Sequence, residues 1–228
     1  MARADRPRCT EVPSDTAVRT RLTTLRTMIR NEEPGVRRWW TSFAVLHTSM
    51  LTGSLLLGVS AGDEGYRNEM IVGTTSSTLA LASLVIFLPP LMGAGDSIDA
   101  MPEDTPVERL AKMRAAEDRL RRASAGVDFL HSWVPTTLSL GYVAAAAGTL
   151  LLAFDRNVGA FTHSIGGTIL SLARVLLHPS GPQTAWRRYR NAYPDAGCQP
   201  LDEPVAQLPG PSWQLSPAGG GMSLTVRF

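Results

Sequence analysis

The stretch AFTHSIGGTILSLARVLLHP (residues 160–179) decides which class of fold this chain adopts. It has no acidic residue, is rich in Leu, Ile and small side chains, and ends at Pro179. An apolar helix of about 20 residues crosses a hydrocarbon layer roughly 30 Å thick. However, His163 and Arg174 lie inside the stretch. The question is therefore whether it is a membrane span or a buried helix of a soluble protein.

Three other windows share this composition, which favours the membrane interpretation. None of the four contains Asp or Glu, and Arg174 is their only Lys or Arg; the windows are 41–61, 70–91, 132–154 and 158–177. All 20 acidic residues of the 228-residue chain lie between or outside them. We therefore predict an all-α, integral membrane four-helix bundle. A soluble fold is the alternative, because a continuous apolar run is also compatible with a buried helix.

The basic residues predict how the chain is threaded. Nineteen of the 22 Lys and Arg residues lie before the first window, between the second and third, or after the fourth. The two remaining connections carry one each. By the positive-inside rule, both termini and the central segment are cytoplasmic, as in a multi-pass protein of the inner membrane. The region before the first window has no apolar core, so we expect no cleaved signal peptide.

We predict three domains. Residues 1–40 form a basic tail with an amphipathic helix, 41–178 the four-span domain, and 179–228 a Pro- and Gly-rich tail that is partly disordered. Within the four-span domain, a cytoplasmic helix is predicted at about 106–124, because Thr105 and Glu108 form a capping box. The thin apolar stripes of the two amphipathic helices either lie on the membrane surface or pack against each other. They are Val18, Leu22, Leu25 and Ile29, and Leu110, Met113 and Leu120.

Aromatic and basic residues at the window ends predict anchors at the headgroup level, where such side chains are enriched. The predicted anchors are Trp39, Trp40, Trp133, Trp186, Tyr189 and Arg174. Arg174 is placed near the cytoplasmic end of its span, where its long stem lets the guanidinium reach lipid phosphates. We therefore predict the anionic inner leaflet as a partner of the chain, and we do not predict nucleic acid as one.

Small residues at four-residue spacing predict where helices approach closely. The pairs are Ser54 and Gly58, Ala144 and Gly148, and Gly167 and Ser171. Such faces suit a single bundle, a homo-oligomer, or a complex with a membrane partner protein, and the sequence does not choose among them.

Chemistry-bearing residues are few. His47 and His163 are polar intramembrane candidates, but they lie near opposite ends of their windows, which disfavours a shared site. There is no phosphate loop, metal-ligand cluster or activated nucleophile, so we predict no enzyme, cofactor or metal. Cys9 and Cys198 lie in the two tails and are expected to be reduced.

The function that these patterns favour is a membrane scaffold or accessory protein that assembles through its helices. The alternative is a small oligomeric channel or transporter lined by His47, His163 and the hydroxyl side chains of the first two spans. Those hydroxyls would then face one another in water; they belong to Ser42, Thr48, Thr52, Thr75 and Thr78.

Apolar and polar residues alternate at the end of the chain, from Met222 to Phe228, as they do in a β-strand. We expect it either to pair with SWQL (residues 212–215) or to be disordered. Together with HSW at 131–133, the Pro179–Tyr189 stretch and the four spans, the ending LSPAGGGMSLTVRF resembles small, uncharacterised multi-helix membrane proteins of myxobacteria. The resemblance covers the chain from about residue 131 and implies no activity. That group has a Gly-Glu pair where this chain has Ser171 and Leu172, so no carboxylate role is transferred.

Overall fold

The computed structural model describes residues 13–198, 212–218 and 221–227. This part of the chain is almost entirely helical and ends in one antiparallel hairpin, in which Leu215 lies opposite Leu224. The predicted pairing with SWQL is thereby confirmed, and the hairpin is an addition to the all-α prediction. Residues 199–211 of the tail lie outside the described residues. The elements are α1 (Asp15–Ser60), α2 (Glu64–Ile86), α3 (Ala94–Asp99), α4 (Pro106–Leu130), α5 (Trp133–Leu152), α6 (Asn157–Leu176), α7 (Gly181–Ala192), β1 (Ser212–Ala218) and β2 (Gly221–Arg227).

Four helical segments are long and apolar enough to cross a membrane. They overlap the four predicted windows, with one clear shift in the second. α2 begins at Glu64, because the Asp63 side chain accepts the Tyr66 backbone N–H at 2.6 Å and caps the helix. It ends at Ile86, ahead of the Pro89-Pro90 pair, since a helix usually stops at or before the residue preceding proline.

α1 differs most from the sequence prediction. The amphipathic helix and the first span, which were predicted to be separate, form one continuous helix of 46 residues. Pro34 lies inside it, where the proline ring removes one backbone hydrogen bond without ending the helix. The predicted boundary at residue 40 therefore falls in the middle of an element. At α4, the capping box is confirmed, because Thr105 N donates to Glu108 Oε2 at 2.8 Å and Glu108 N donates to Thr105 Oγ1 at 3.2 Å.

The chain divides into two compact units. Among the described residues, unit 1 consists of 13–34, Pro90–Ala125 and the residues from Gly181 onward. Unit 2 consists of Gly35–Pro89 and Gly126–Ser180.

Unit 1 has a core built from the two amphipathic stripes. All four stripe residues of α1 are buried, as are Met113 and Leu120 of α4. Arg109 of α4 donates to both carboxylate oxygens of Asp15 of α1, at 2.8 and 3.0 Å. The stripes therefore pack inside the unit and are not available to a membrane surface.

Buried charges hold the segment that precedes α4 in unit 1. The Glu33 carboxylate accepts the backbone N–H groups of Gly93 and Gly95, at 3.1 and 3.0 Å, where α3 begins. Lys112, only 1% exposed, donates to the carbonyls of Asp99 and Met101 where α3 ends. An acid at the helix start and a base at its end complement the backbone groups that the helix leaves unpaired.

Unit 2 contains the apolar half of α1 together with α2, α5 and α6. Trp40 Nε1 donates to the Leu84 carbonyl at 3.0 Å, which joins α1 to α2. α5 and α6 form the closest helix pair, because Gly167 lies directly against Val143. In the connection between α5 and α6, Arg156 Nε donates to Glu69 Oε1 of α2 at 2.7 Å and so joins this connection to α2.

The cysteine expectation is wrong for Cys198, which is disulfide-bonded in the structure. It follows Gly197, whose backbone N–H donates to Glu117 Oε2 at 3.2 Å, so the chain just before the cysteine is held in place. Cys9, the other cysteine of the sequence, lies outside the described residues.

Candidate functional site in the apolar helices

Arg174 is the most unusual side chain of unit 2. Its guanidinium donates to Ser83 Oγ of α2 at 2.8 Å, and its backbone carbonyl accepts from Trp39 Nε1 at 3.2 Å. The sequence predicted instead that the guanidinium extends to lipid headgroups. Helical side chains tilt toward the N-terminus of their own helix, which for α6 is the end remote from the predicted cytoplasmic face. The arginine therefore contacts a neighbouring helix, a partner that sequence analysis did not identify.

No acidic partner accompanies this arginine among the described residues, and the charged or titratable groups that act on it are histidines. His47 of α1 and His178, just beyond α6, both interact electrostatically with Arg174. No salt bridge joins Arg174 to a carboxylate within the described part of the chain. The atoms Arg174 Nε and His47 Nδ1 are buried without a hydrogen-bond partner.

Aromatic rings lie beside this basic group. The Trp39 ring lies 5.4 Å from the Phe43 ring and 4.5 Å from the His178 ring, centroid to centroid. Trp39, Phe43 and Leu84 form a buried apolar cluster. We call Arg174, His47, Ser83 and His178, with Trp39 and Phe43, the arginine cluster. It combines a buried apolar cluster with one half-buried permanent positive charge.

His163 belongs to a separate polar group. Ser76 Oγ of α2 lies 2.9 Å from Tyr142 OH of α5 and 3.3 Å from His163 Nε2 of α6. His47 is in the arginine cluster, so the structure places the two histidines in different surroundings. Ser76 and Tyr142 were not predicted from the sequence, because a lone hydroxyl in an apolar window carries no signal of which helix it will contact.

Most of the predicted anchors are used in packing. Trp39, Trp186 and Tyr189 are buried, with Tyr189 fully enclosed, so they are not available to headgroups. Tyr189 OH instead donates to Glu117 Oε1 at 2.6 Å inside unit 1. Of the aromatic anchors, Trp133 is the exposed one, at 74%. These rings were predicted at the interface because amphipathic aromatics suit a wet boundary, but an internal acceptor serves their polar atoms equally well.

Two carboxylates near the end of unit 1, Glu117 and Asp195, have pKa values that shift in opposite directions. Burial raises the pKa of Glu117, and hydrogen bonds from Tyr189 and Gly197 offset part of that rise. Arg21 donates to both carboxylate oxygens of Asp195, at 2.8 and 2.9 Å, and holds the pKa of Asp195 below its usual value. The Arg21 guanidinium also lies over the Tyr193 ring, 4.7 Å from its centroid.

Two of the three small-residue pairs lie at helix contacts. A methyl group added at Gly167 would lie 2.8 Å from Val143 Cγ2, and Ser139 Oγ donates to Ser171 Oγ at 2.7 Å. Ser54 approaches Gly73 of α2, and Gly58 approaches Met70 of α2.

For the third pair, Ala144 and Gly148, the structure differs from the prediction. Ala144 is exposed, and no atom lies within 4 Å of a methyl group added at Gly148. α5 packs instead through Val143, Ala146 and Leu150, which are buried. Within the described part of the chain, this pair does not mark a close helix contact.

The hydroxyls proposed for a pore lie on the outside of the helices. All five are exposed; they belong to Ser42, Thr48, Thr52, Thr75 and Thr78. Thr75 and Thr78 donate to carbonyls one turn earlier in their own helix, at 2.9 Å each. Such back-bonding satisfies a hydroxyl that has no water or neighbour to bind.

No protein-family model, curated protein or solved structure matches the chain. The resemblance to myxobacterial membrane proteins therefore stays a prediction, and function has to be argued from geometry. The described residues contain no group of three or more His, Cys, Asp or Glu side chains that could hold a metal ion.

Proposed function

We propose that this chain is an integral protein of the inner membrane, where it acts as a scaffold or accessory protein. The supporting observation is the distribution of exposed apolar side chains. Among the described residues, every exposed large hydrophobic side chain except Val107 belongs to unit 2. Soluble monomers rarely expose a contiguous apolar surface larger than a few hundred Å². Insertion of these helices in a bilayer accounts for their exposed apolar side chains.

Unit 1 is the part that presents charge to a partner. α7 turns Trp186 and Tyr189 inward and exposes Arg187, Arg188 and Arg190. No hydrogen bond or ion pair joins these three arginines to another described residue. In the sequence, α7 follows the apolar α6 after four residues. A basic segment that follows a span in this way favours the anionic inner leaflet, at about 1 kcal/mol for each basic residue near the surface.

A channel receives no comparable support. Its proposed lining hydroxyls are exposed in the single chain, and two of them are bonded within their own helix. A water-filled path needs polar groups that converge. The exposed apolar side chains of unit 2 and the exposed arginines of unit 1 support the scaffold proposal instead.

The test of insertion is fractionation of cells that express the full chain. Inner and outer membranes are separated on a density gradient, and the inner membranes are washed at alkaline pH. We expect the protein to stay in the washed inner-membrane pellet, because four apolar helices hold it there. Release into the alkaline supernatant, or recovery in the soluble fraction, would overturn the proposal.

The lipid part of the proposal has its own variant and matched control. Arg187, Arg188 and Arg190 are replaced together by Gln, and in the control by Lys. We expect less phosphatidylglycerol to co-purify with the Gln variant, measured by mass spectrometry of the detergent-purified protein. The Lys control should retain it, because the positive charge is kept. Equal retention by both variants would assign the lipid contact to another surface.

A further inference from the structure

The arginine cluster carries an electrostatic problem that the scaffold proposal leaves open. A guanidinium stays charged at any physiological pH. Removing a charge from water is costly unless an opposite charge accompanies it. The Arg174 guanidinium donates to Ser83 Oγ, its Nε atom is sealed from solvent, and it has no carboxylate partner among the described residues.

The unpaired atoms of the cluster are all donors or able to become donors. Arg174 Nε carries a hydrogen with no acceptor, and His47 Nδ1 carries a proton in one tautomer of the ring. His47 is 9% exposed, and its Nδ1 atom is sealed from solvent. A water molecule could satisfy one of these donors, but it would leave the positive charge of the arginine in place.

We propose that the arginine cluster binds a small monovalent anion of the size of chloride. The ion would be held by Arg174 and His47, with the Ser83 hydroxyl beside it. A small ion is favoured over a carboxylate from a docking helix, because the free Arg174 Nε and His47 Nδ1 atoms lie inside the bundle. It would act as a fixed counter-ion that stabilises the contact of α6 with α1 and α2. The inference rests on contacts within unit 2 and does not depend on a scaffold role.

The test is thermal unfolding of the full chain in nanodiscs of zwitterionic lipid, followed by tryptophan fluorescence. Chloride is replaced stepwise by gluconate at constant ionic strength. A ligand that binds only the folded state raises stability with the logarithm of its concentration once the site is near saturation. We expect the Tm of the wild-type protein to rise in this way with chloride, and no such rise in Arg174→Gln. Arg19→Gln, which removes an exposed arginine of α1, is the matched control and should keep the full chloride response.

A second variant tests the proposal even if Arg174→Gln fails to fold. Ser83→Asp places a permanent carboxylate beside the guanidinium, which would replace the ion. We expect this variant to be at least as stable as the wild type in gluconate and indifferent to chloride. A bromide soak of crystals gives a direct readout, with an anomalous peak expected between Arg174 and His47.

Three results would overturn the proposal. One is a wild-type Tm that does not depend on chloride. Another is a chloride response that persists unchanged in Ser83→Asp. The third is stabilisation that follows the fraction of phosphatidylglycerol in the nanodiscs and not the chloride concentration, since that would identify the counter-ion as a lipid headgroup.

Discussion

At the scale of single residues, unit 1 contains two carboxylates whose ionisation affects folding in opposite directions. The folded-state pKa of Glu117 is raised, chiefly by burial. Its protonated form therefore contributes stability below the unfolded pKa, about 4.3, and this contribution is lost as pH rises through the folded value. The folded-state pKa of Asp195 is lowered, chiefly by its hydrogen bonds from Arg21. Its contribution is present above about 3.9 and is lost as pH falls through the folded value.

The prediction is a pair of mirrored pH profiles for Glu117→Gln and Asp195→Asn. For Glu117→Gln, the amount by which the wild-type Tm exceeds the variant Tm should decrease as pH rises. For Asp195→Asn, the same difference should decrease as pH falls. The Asp195 effect should reach about 0–1 kcal/mol at neutral pH, because its side chain is partly exposed. Thermal unfolding in detergent across a pH series is the measurement. Glu64→Gln, at an exposed carboxylate at the start of α2, is the control; a profile for Glu117→Gln that matches it would contradict the assignment.

At the scale of elements, the α5–α6 contact depends on one missing side chain. Gly167→Ala should destabilise the pair, because the added methyl group would lie within 3.0 Å of both Val143 γ carbons. Overpacking of this kind costs about 1–3 kcal/mol. The neighbouring Gly166→Ala variant is the matched control, since no atom lies within 4 Å of its added methyl group. We expect a lower Tm for Gly167→Ala than for Gly166→Ala in the same detergent, and the reverse order would show that the two helices separate easily.

The elements also show what the sequence can and cannot predict. The four long apolar helices follow from composition, because windows of about 20 residues without acidic side chains predict helices of that length. The start of α4 follows from local chemistry, because Thr105 and Glu108 satisfy each other's backbone groups. The direction of Arg174 and the burial of Tyr189 depend on which neighbour supplies an acceptor. Neither Ser83 nor Glu117 is close in sequence to the residue that it binds, so no local pattern could identify the contact.

At the scale of the whole molecule, the predicted threading can be measured by cysteine labelling. In a background with Cys9 and Cys198 replaced by Ser, Gly62→Cys lies between α1 and α2 and Thr184→Cys lies on the exposed face of α7. We expect a membrane-impermeant maleimide to label Gly62→Cys in intact spheroplasts. Thr184→Cys should label only after the membrane is broken, because the basic segments stay in the cytoplasm. The opposite pattern would mean that the chain is inserted the other way.

The threading also bears on the disulfide at Cys198. Disulfides are rare in the reducing cytoplasm and persist in oxidising compartments. If the labelling places α7 inside the cell, the Cys198 bond should be open in growing cells and close only after oxidation. Trapping of free thiols during cell lysis, with and without prior reductant, measures whether the bond is open or closed.

The back-bonded hydroxyls have a consequence for biosynthesis. Thr75, Thr78, Thr149 and Thr162 each donate to a carbonyl of their own helix. A helix that satisfies its own polar atoms can leave the translocon for lipid before any neighbour has been made. The α6 helix is different, because its arginine binds Ser83 of α2, which the ribosome synthesises 91 residues earlier. Under the proposed insertion, the order of synthesis therefore makes an acceptor available before the charge that needs it arrives.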